Sequence, residues 1–409
     1  MQREHDWRPI PGTAVGILPK DTLAPVEDFT AFARAVEMPT EGDASFRHAS
    51  ETIARVNGHR LRRDVNFFGS GNSPAIPHFN DGVYKMHEAE TVVLRDAVFS
   101  PHSMTVCRVG RGFYRPSLEN YFLVSPTLER VAAMDPLYVV DQAGVCRFSE
   151  RASSLELVDA TAFPVCGTGF WNYGHFLYDG LSLALLLTQA MPNWAPILVG
   201  PPLTDWQRTI LELVGLADNY RPQERPAVFR KVVASNLMSL HVSYPTRFVR
   251  PLFDMIRFKV GASEAFTGGK VFISRRHDIA KRMLRNRDEV ERCFRDEGFT
   301  VVVPEQMSFA EQVKLFSSCR FVAGESGAGF ANIGFCDPGT KILEIQPDNF
   351  VEGWTRSASM LFSHDWNVFF AESSPIASDP LGKPLPPHTM EFSVVVADLR
   401  AAIRAIAAR

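Results

Sequence analysis

Two groups of residues have types and spacings suited to chemistry, and the first is a histidine–aspartate pair. His175 and Asp179 lie four residues apart in "NYGHFLYDGL", where a helical pattern of apolar residues begins. Residues four apart share one face of a helix, so the carboxylate can orient the imidazole or act as the base itself. An imidazole has an ordinary pKa of about 6.5, which suits a general base. The alternative is a hydrogen-bonded structural histidine at the start of the helix.

The second group is a basic segment, "SRRHDIAKRMLRNRDEV", which follows the apolar strand pattern "VFI". Its cationic residues are Arg275, Arg276, Lys281, Arg282, Arg285 and Arg287. Guanidinium groups donate two parallel hydrogen bonds to phosphate oxygens, so this composition favours a phosphate site. The alternative interpretation is a loop of solvated charges.

A stretch of small residues, "GESGAGFANIGFCDPGTKILEIQP", has the composition of a segment that a ligand approaches closely. Its backbone N–H groups can face an anion, and the N-terminus of the following helix adds partial positive charge. The spacing matches neither the P-loop pattern nor GxGxxG, and the glycines can instead serve only close packing of helix and strand. Glu325, in the loop, can bind sugar or ribose hydroxyls or be a solvated carboxylate. Glu344 ends an apolar strand, where a charge needs either such hydroxyls or an arginine partner.

The elements that must position these loops form a regular pattern near the C-terminal end of the chain. Strand patterns "KVFIS", "FTVVV", "RFVAG" and "TKILEI" alternate with helical patterns "RDEVERCFRDEG", "SFAEQVKLFSSC" and "FANIGF". This alternation predicts an α/β unit with a parallel sheet covered on both faces. Ser308 followed by Glu311 predicts a capping box. Because ligands bind beyond the carboxyl ends of such strands, we expect both loops on one edge, where they would bind a nucleotide diphosphate.

The earlier part of the chain has a different pattern, with more strands than helices between residues 90 and 165. The strand patterns are "TVVLRDAVF", "SMTVCRV", "PLYVVD" and "SLELVDA", whereas "DFTAFARAVEM" and "TDWQRTILELVGL" are helical. The second helix has Asp205 near its start and Gly215 near its end, as capping preferences predict. Prolines and glycines between 230 and 269 predict a boundary near the end of that segment. The predicted division is 1–262, 263–375 and 376–409, where the last part contains an amphipathic helix that packs back across the domains.

Composition and charge exclude several classes of protein. The 409 residues are 45% hydrophobic and 22% charged, as in folded chains, and the length favours two domains. A net charge of −3 provides no overall field for nucleic acid. Six scattered cysteines without a CxxC pair predict reduced thiols and disfavour structural zinc. The N-terminus lacks the apolar core of a signal peptide, and the run "LALLL" is too short to span a membrane, so we expect a cytoplasmic location.

The order of these motifs resembles glycosyltransferase family 61, which includes bacterial capsular polysaccharide biosynthesis proteins. The matching pieces are "FISR", "RMLRNRDEV", "GFTVVVPEQMSFAEQVKLF", "GAGFANIGF" and "PGTKILEI", with "NYGHFLYDGL" upstream. The resemblance spans about residues 165 to 350. It implies a GT-B-like architecture, in which two Rossmann-like domains face a cleft and a β-rich portion comes first. It also implies inverting, metal-independent transfer from a nucleotide sugar, which we expect to be UDP-linked and to act as co-substrate without a further cofactor.

The resemblance also implies which residues bind the donor. The matched positions are Ser274, Arg275, Arg282, Asn286, Gly327, Ala328, Gly329, Asn332 and Glu344. Ser326 stands in the donor loop where the family usually has histidine, so the chain departs from the family there. The first predicted domain would then bind the acceptor and the second the nucleotide sugar. The expected acceptor is a polysaccharide or other glycan.

The catalytic assignment follows from the same residues, with His175 as base, Asp179 as its orienting partner and Glu325 as a further candidate. Two alternatives remain, a non-catalytic nucleotide- or glycan-binding scaffold and a GT-B-like polysaccharide pyruvyl transferase. The aromatic residues of "GFW" and "GFYRP" can line an acceptor groove or belong to the core. The C-terminal helix, with basic outer positions, also allows peripheral association with a membrane surface.

Overall fold

The structure is a computed structural model of the chain. It describes residues 11–14, 24–25, 52–53, 67–69, 84–85, 91–109, 112–113, 128–165, 167, 169–190, 197–235, 245, 249–262, 268–275, 282–349, 352–374 and 390–409. The predicted helix "DFTAFARAVEM" and the cationic residues Arg276 and Lys281 lie outside these ranges.

The strands are given in chain order. They are β1 (Ala24–Pro25), β2 (Thr52–Ile53), β3 (Phe67–Phe68), β4 (Tyr84–Lys85), β5 (Thr91–Ser100), β6 (Thr105–Arg108), β7 (Gly112–Phe113), β8 (Tyr138–Val140), β9 (Cys146–Phe148), β10 (Glu156–Pro164), β11 (Ile197–Gly200), β12 (Tyr220–Pro222), β13 (Ala227–Ser235), β14 (Gly269–Ile273), β15 (Met283–Leu284), β16 (Thr300–Val302), β17 (Cys319–Glu325), β18 (Lys341–Pro347), β19 (Asp365–Ala371) and β20 (Glu391–Phe392).

The α-helices are α1 (Leu128–Met134), α2 (Tyr173–Phe176), α3 (Ser182–Ala190), α4 (Asp205–Val214), α5 (Val249–Val260), α6 (Arg287–Asp296), α7 (Phe309–Ser317), α8 (Trp354–Leu361) and α9 (Val396–Ala407). A π-helical turn, Leu177–Leu181, joins α2 to α3. Short 3₁₀ helices cover Glu150–Ser154, Ala217–Asn219, Pro304–Gln306 and Ala328–Phe335. Among the described residues, no helix combines the length and the apolar character that a membrane crossing requires.

The chain folds into two compact units, each built from two separate stretches of sequence. The first unit comprises Met1–Ser50 and His87–Leu252, and the second comprises Glu51–Met86 and Phe253–Arg409. The predicted division at residues 262 and 375, and the GT-B arrangement of the domains, stay predictions.

The second unit contains a six-stranded sheet in the order β16-β14-β17-β18-β19-β3, and every neighbouring pair is parallel. Without the short edge strand β3, the five strands from β14 to β19 follow the doubly wound order 2-1-3-4-5. In this order, β16 is added on one side of β14, and the strands from β17 onward are added on its other side. A crevice therefore opens beyond the carboxyl ends of these two strands, at the topological switch point.

Apolar side chains on both faces of this sheet explain why it is covered by helices. On one face, Phe272 and Leu343 belong to a buried cluster with Phe294 of α6 and Ile403 of α9. On the other side, α7 and α8 contact β17 and β19 and the 3₁₀ helix Ala328–Phe335. The predicted parallel sheet with helices on both faces is confirmed. The predicted capping box is also confirmed, because the Ser308 backbone N–H donates to Glu311 Oε2 over 2.8 Å.

The first unit is built around a mixed sheet in the order β12-β11-β10-β13-β5-β6-β7, with β1 paired to β5. The pairs from β12 to β13 are parallel, whereas the pairs from β13 to β7 are antiparallel. The antiparallel part and the β8–β9 hairpin account for the β-rich pattern between residues 90 and 165. The predicted helix α4 is confirmed, and it ends at Gly215, which has a φ of 76° in the left-handed region that favours glycine.

The helix after "NYGH" differs from its predicted form, whereas the C-terminal helix is present and its predicted packing across the domains stays a prediction. The helical pattern after "NYGH" is not continuous, because the π-helical turn at Leu177–Leu181 interrupts it. The predicted C-terminal helix is present as α9, and its buried side chains join the core of the second unit. On its outer side, Arg400 and Arg404 both donate to Glu297 at the end of α6. These contacts tie α9 to α6 within one unit.

Candidate functional site

The switch point of the second sheet brings together the two loops that the sequence singled out. Ile273, the last residue of β14, pairs with Gly324 of β17 in parallel register. Arg275 lies two residues beyond β14, and Ser326 directly follows β17. The prediction that both loops leave one edge of the sheet is therefore confirmed.

Arg275 is a partly buried cation at this edge. Its Nη1 lies 3.4 Å from the carbonyl oxygen of Ser326, and among the described residues no carboxylate forms a salt bridge with it. Burial, and next the neighbouring Arg282 guanidinium, lower the pKa of Arg275. A Cβ atom added at Gly327 would lie 3.7 Å from Arg275 Cζ, so the guanidinium borders backbone rather than side chain. The charge of Glu325 opposes this lowering of the pKa, and an anion placed here would add charge-assisted hydrogen bonds to the guanidinium.

A buried ion pair between Arg287 and Glu325 contacts the backbone of Arg275. Arg287 Nε donates to Glu325 Oε1 over 3.1 Å, and Arg287 Nη2 donates to Glu325 Oε2 over 3.0 Å. The third donor, Nη1, bonds to the carbonyl oxygen of Arg275 over 3.0 Å. Burial raises the pKa of Glu325, and the Arg287 guanidinium opposes this rise. Both carboxylate oxygens of Glu325 are occupied in this arrangement, so its predicted contact with substrate stays a prediction.

The glycines of the loop divide into two groups. A Cβ atom at Gly324 would lie 2.8 Å from the carbonyl oxygen of Ile273, and one at Gly329 would lie 3.0 Å from Ile273 Cγ2. At Gly334 the added atom would lie 2.3 Å from the ring of Phe253. These three glycines allow close packing, which was the alternative interpretation. Gly327 is different, because an added Cβ atom would meet only the Arg275 side chain, at 3.7 Å or more, which is ordinary van der Waals contact.

Several residues matched to the donor site hold their own elements in place. Asn286 exchanges two hydrogen bonds with the backbone of Val394, at 2.8 and 3.1 Å. Asn332 is buried and donates to Gln312 Oε1 over 3.0 Å. Ser274 Oγ donates to Glu291 Oε1 over 2.6 Å. Their predicted contacts with a donor stay predictions.

Two further matched residues, Arg282 and Ala328, flank the site. Arg282 has a φ of 50°, which is uncommon for a residue with a side chain. Its Nη1 lies 3.9 Å from Glu352 Oε1. Ala328 begins the 3₁₀ helix Ala328–Phe335 directly after Gly327. This confirms the short helix predicted from "FANIGF", in a tighter 3₁₀ form.

Glu344 is fully buried in β18, where it pairs in parallel register with Gly324 of β17. Thr355 Oγ1 donates to Glu344 Oε1 over 3.0 Å, and Trp366 Nε1 donates to Oε2 over 3.1 Å. Its partners are therefore a threonine and a tryptophan rather than an arginine. Burial raises the pKa of Glu344 to about 7, against the opposing influence of surrounding polar side chains. Its predicted contact with ligand hydroxyls stays a prediction.

Ser326 is also buried, so its side chain points away from solvent. Its hydroxyl favours the charged form of Glu344, although it forms no hydrogen bond of ordinary geometry with any described residue. The position where the family usually has histidine is thus filled by a small hydroxyl close to a buried carboxyl group.

The histidine–aspartate pair lies in the first unit. His175 Nδ1 and Asp179 Oδ2 are 2.7 Å apart, and Asp179 is completely buried while His175 is 29% exposed. Asn172 caps the helix, because its Oδ1 accepts from the backbone N–H groups of Gly174 and His175. Asp179 has a non-helical ψ of −111° within the π-helical turn. In the tautomer in which Nδ1 donates to this carboxylate, the lone pair of the neutral ring is on Nε2.

Gly169 supports the histidine ring, which the sequence did not predict. A Cβ atom at Gly169 would lie 2.3 Å from His175 Cγ, so the ring rests directly on the glycine backbone. Arg287 was likewise noted only as one of several cations and had no assigned role. Both roles depend on approaches between chain segments that residue spacing does not reveal.

The comparison with known families agrees with the resemblance seen in the sequence. The family model described as Glycosyltransferase 61 matches residues 173–343, a segment that contains both His175 and Arg275. A search of curated proteins found no match. The family match implies glycosyltransferase activity in general.

Proposed function

We propose that the glycosyltransferase activity implied by the match to family 61 is inverting transfer of a sugar from a nucleoside diphosphate donor to a glycan hydroxyl. The observation that carries this proposal is Arg275, a partly buried guanidinium with no carboxylate partner among the described residues. It lies at the switch point of a doubly wound sheet, where ligands bind in such folds.

On the donor side, the diphosphate would contact the Arg275 guanidinium and the backbone N–H groups that begin at Gly327. Charge-assisted hydrogen bonds of this kind stabilise a leaving group whose negative charge grows in the transition state. Arg287 and Glu325 are positioning residues in this proposal. Arg287 donates a hydrogen bond to the backbone of Arg275, and Glu325 accepts hydrogen bonds from the Arg287 guanidinium.

On the acceptor side, the base would be His175. The acceptor oxygen attacks the anomeric carbon, the bond from that carbon to the phosphate oxygen breaks, and the hydroxyl proton passes to Nε2. Asp179 then stabilises the imidazolium through Nδ1. One displacement of this kind inverts the configuration at the anomeric carbon.

The proposal also covers the metal requirement, the donor type, the domain arrangement and the location of the protein. Because guanidinium and backbone groups provide the positive charge, the reaction would need no metal ion. We further propose a UDP-linked donor, a GT-B arrangement and a cytoplasmic location, as the resemblance implies.

Calorimetric titration with UDP tests the donor site. We expect Arg275→Ala to weaken binding by about 1.5–3 kcal/mol, which is the range for losing a charge-assisted contact. Arg208→Ala, at an exposed position of α4, is the matched control and should bind as the unchanged chain does. Equal affinity for UDP in Arg275→Ala, with the fold intact, would contradict the proposal.

Ser326 favours one second candidate, a scaffold that binds nucleotide sugar without transferring it. Where the family usually has histidine, this chain has a buried hydroxyl. Release of UDP from a UDP-sugar, into water or onto an acceptor, separates the two candidates, because a scaffold binds the donor and releases no UDP.

A further inference from the structure

Trp171 is an exposed aromatic side chain in the turn that leads into the histidine–aspartate pair. Its exposed fraction is 56%, whereas its neighbour Phe170 is completely buried. Phe113, from the second aromatic motif of the sequence, is also buried. Among the described aromatic residues of these two motifs, the structure therefore assigns Phe170 and Phe113 to the core and Trp171 to the surface.

The Trp171 ring packs on its neighbour Phe170, and Phe170 is in turn fixed by its own ring and backbone contacts. Phe170 meets it edge to face, with ring centroids 5.6 Å apart and an interplanar angle of 88°. Phe170 itself packs edge to face on Phe176 at 5.7 Å. The Phe170 carbonyl oxygen accepts a hydrogen bond of 2.7 Å from Gln207 Nε2, a buried group of α4. A rigid aromatic surface loses little conformational entropy when a ligand binds to it.

The same turn supports the proposed base. Gly169, two residues before Trp171, lies against the His175 ring. Asn172, the next residue after Trp171, caps the helix that carries His175 and donates its backbone N–H to Gly169 over 2.8 Å. The segment of four residues 169–172 thus carries the indole and also supports the imidazole.

The size and surroundings of the exposed indole favour one kind of occupant. A stable protein interface buries about 800 Å² on each partner, whereas an aromatic side chain offers at most about 250 Å². Trp171 is followed by the exposed Asn172, and residues 169–176 contain no lysine or arginine, so the turn lacks the basic face that binds a membrane surface. One sugar ring matches the indole in area, and its C–H face is apolar while its rim is hydroxylated.

We propose that Trp171 is a stacking surface for a sugar ring of the acceptor glycan, beside the base that takes up the proton. This inference rests on the proposed function. It adds a specificity-determining residue and places a sugar ring of the acceptor, in addition to its reacting hydroxyl, at this turn.

An array of immobilised oligosaccharides, probed with the fluorescently labelled chain, tests the proposal. We expect the unchanged chain to bind a subset of these glycans, and Trp171→Ala to reduce the apparent affinity at least about tenfold. Trp171→Phe should restore most of the binding, since a smaller aromatic face remains. The matched control is Phe258→Ala, at an aromatic position of the second unit that is 84% exposed, and it should bind normally.

The result that overturns the proposal is unchanged glycan binding by Trp171→Ala, or no glycan binding by the unchanged chain. Equal thermal midpoints of all four proteins exclude a loss of fold. UDP binding by Trp171→Ala, measured in parallel, should equal that of the unchanged chain. Glycan binding that depends on Trp171, combined with normal UDP binding and no transfer, would contradict the proposed function and leave this inference intact.

Discussion

At the scale of single residues, the two ring nitrogens of His175 have different tasks. Nδ1 is engaged by Asp179 over 2.7 Å, so the proposed proton transfer falls to Nε2. The contact itself could be predicted, because residues four apart meet on a helix. The π-helical turn that gives Asp179 its non-helical backbone could not, since nothing in "FLYDGL" distinguishes it from ordinary helix.

Removing the base should slow transfer and leave donor binding unchanged. We expect His175→Ala to lose about 10²- to 10⁴-fold in single-turnover rate, because a general base acts only in the transition state. Asp179→Asn should lose less if it only orients the ring. His102→Ala, at an exposed histidine elsewhere in the first unit, is the control. Full activity of both variants would place the base elsewhere, with Glu325 as the next candidate.

Gly169 yields a second prediction at this scale. Its added methyl group in Gly169→Ala would lie 2.3 Å from His175 Cγ, so the ring must move. A displaced base lowers kcat, and we expect a loss of at least about tenfold with unchanged affinity for UDP. Gly269→Ala is the matched control, because its added atom would have no neighbour closer than 3.8 Å. A normal kcat in Gly169→Ala would show that the ring position is not critical.

At the scale of elements, strand β18 carries a carboxyl group into the layer between the sheet and α8. Glu344 is completely buried there, with hydrogen bonds from α8 and β19. The sequence predicted the parallel strands from their apolar runs. It could not predict the strand order, because the order depends on which helix covers which face.

This buried carboxyl group should make stability depend on pH. The pKa of Glu344 rises from 4.5 to about 7 on folding, so the folded state holds the proton more strongly. Its contribution is complete below about pH 4.5 and is lost as the pH rises through 7. The free energy of unfolding, from urea titrations at several pH values, should therefore fall over this window by about 3 kcal/mol more in the unchanged chain than in Glu344→Gln.

The control for this prediction is Glu212→Gln, at an exposed carboxylate of α4. This variant should keep the pH dependence of the unchanged chain. Identical pH profiles of Glu344→Gln and the unchanged chain would show that Glu344 is not the titrating group.

At the scale of the whole molecule, the net charge of −3 hides a local concentration of guanidinium groups. Burial, and next the charges of Arg282 and Arg287, lower the pKa of Arg275 at the edge of the second sheet. The basic segment was visible in the sequence. The pairing of Arg287 with Glu325 was not, because 38 residues separate the two partners.

Because these cations would replace a metal ion, transfer should survive chelation. We expect the rate of transfer from a UDP-sugar to be the same with and without EDTA, within experimental error. Loss of activity in EDTA, with recovery on adding magnesium or manganese, would contradict the assigned role of the arginines. A transferase known to require manganese, assayed in parallel, controls for effective chelation.

The edge strand β3 has a consequence for how the protein is made. Phe67 and Phe68 pair with Val368 and Phe369 of β19, so strands about 300 residues apart in the chain lie side by side. A ribosome adds about 5–20 residues per second, so β3 waits on the order of 15–60 s for its neighbour to be synthesised. During that interval the first unit can fold while the early segment of the second has no sheet to join. Expression at low temperature or with holdase chaperones should therefore favour recovery of the folded chain, and fragments that begin at residue 253 would lack this strand.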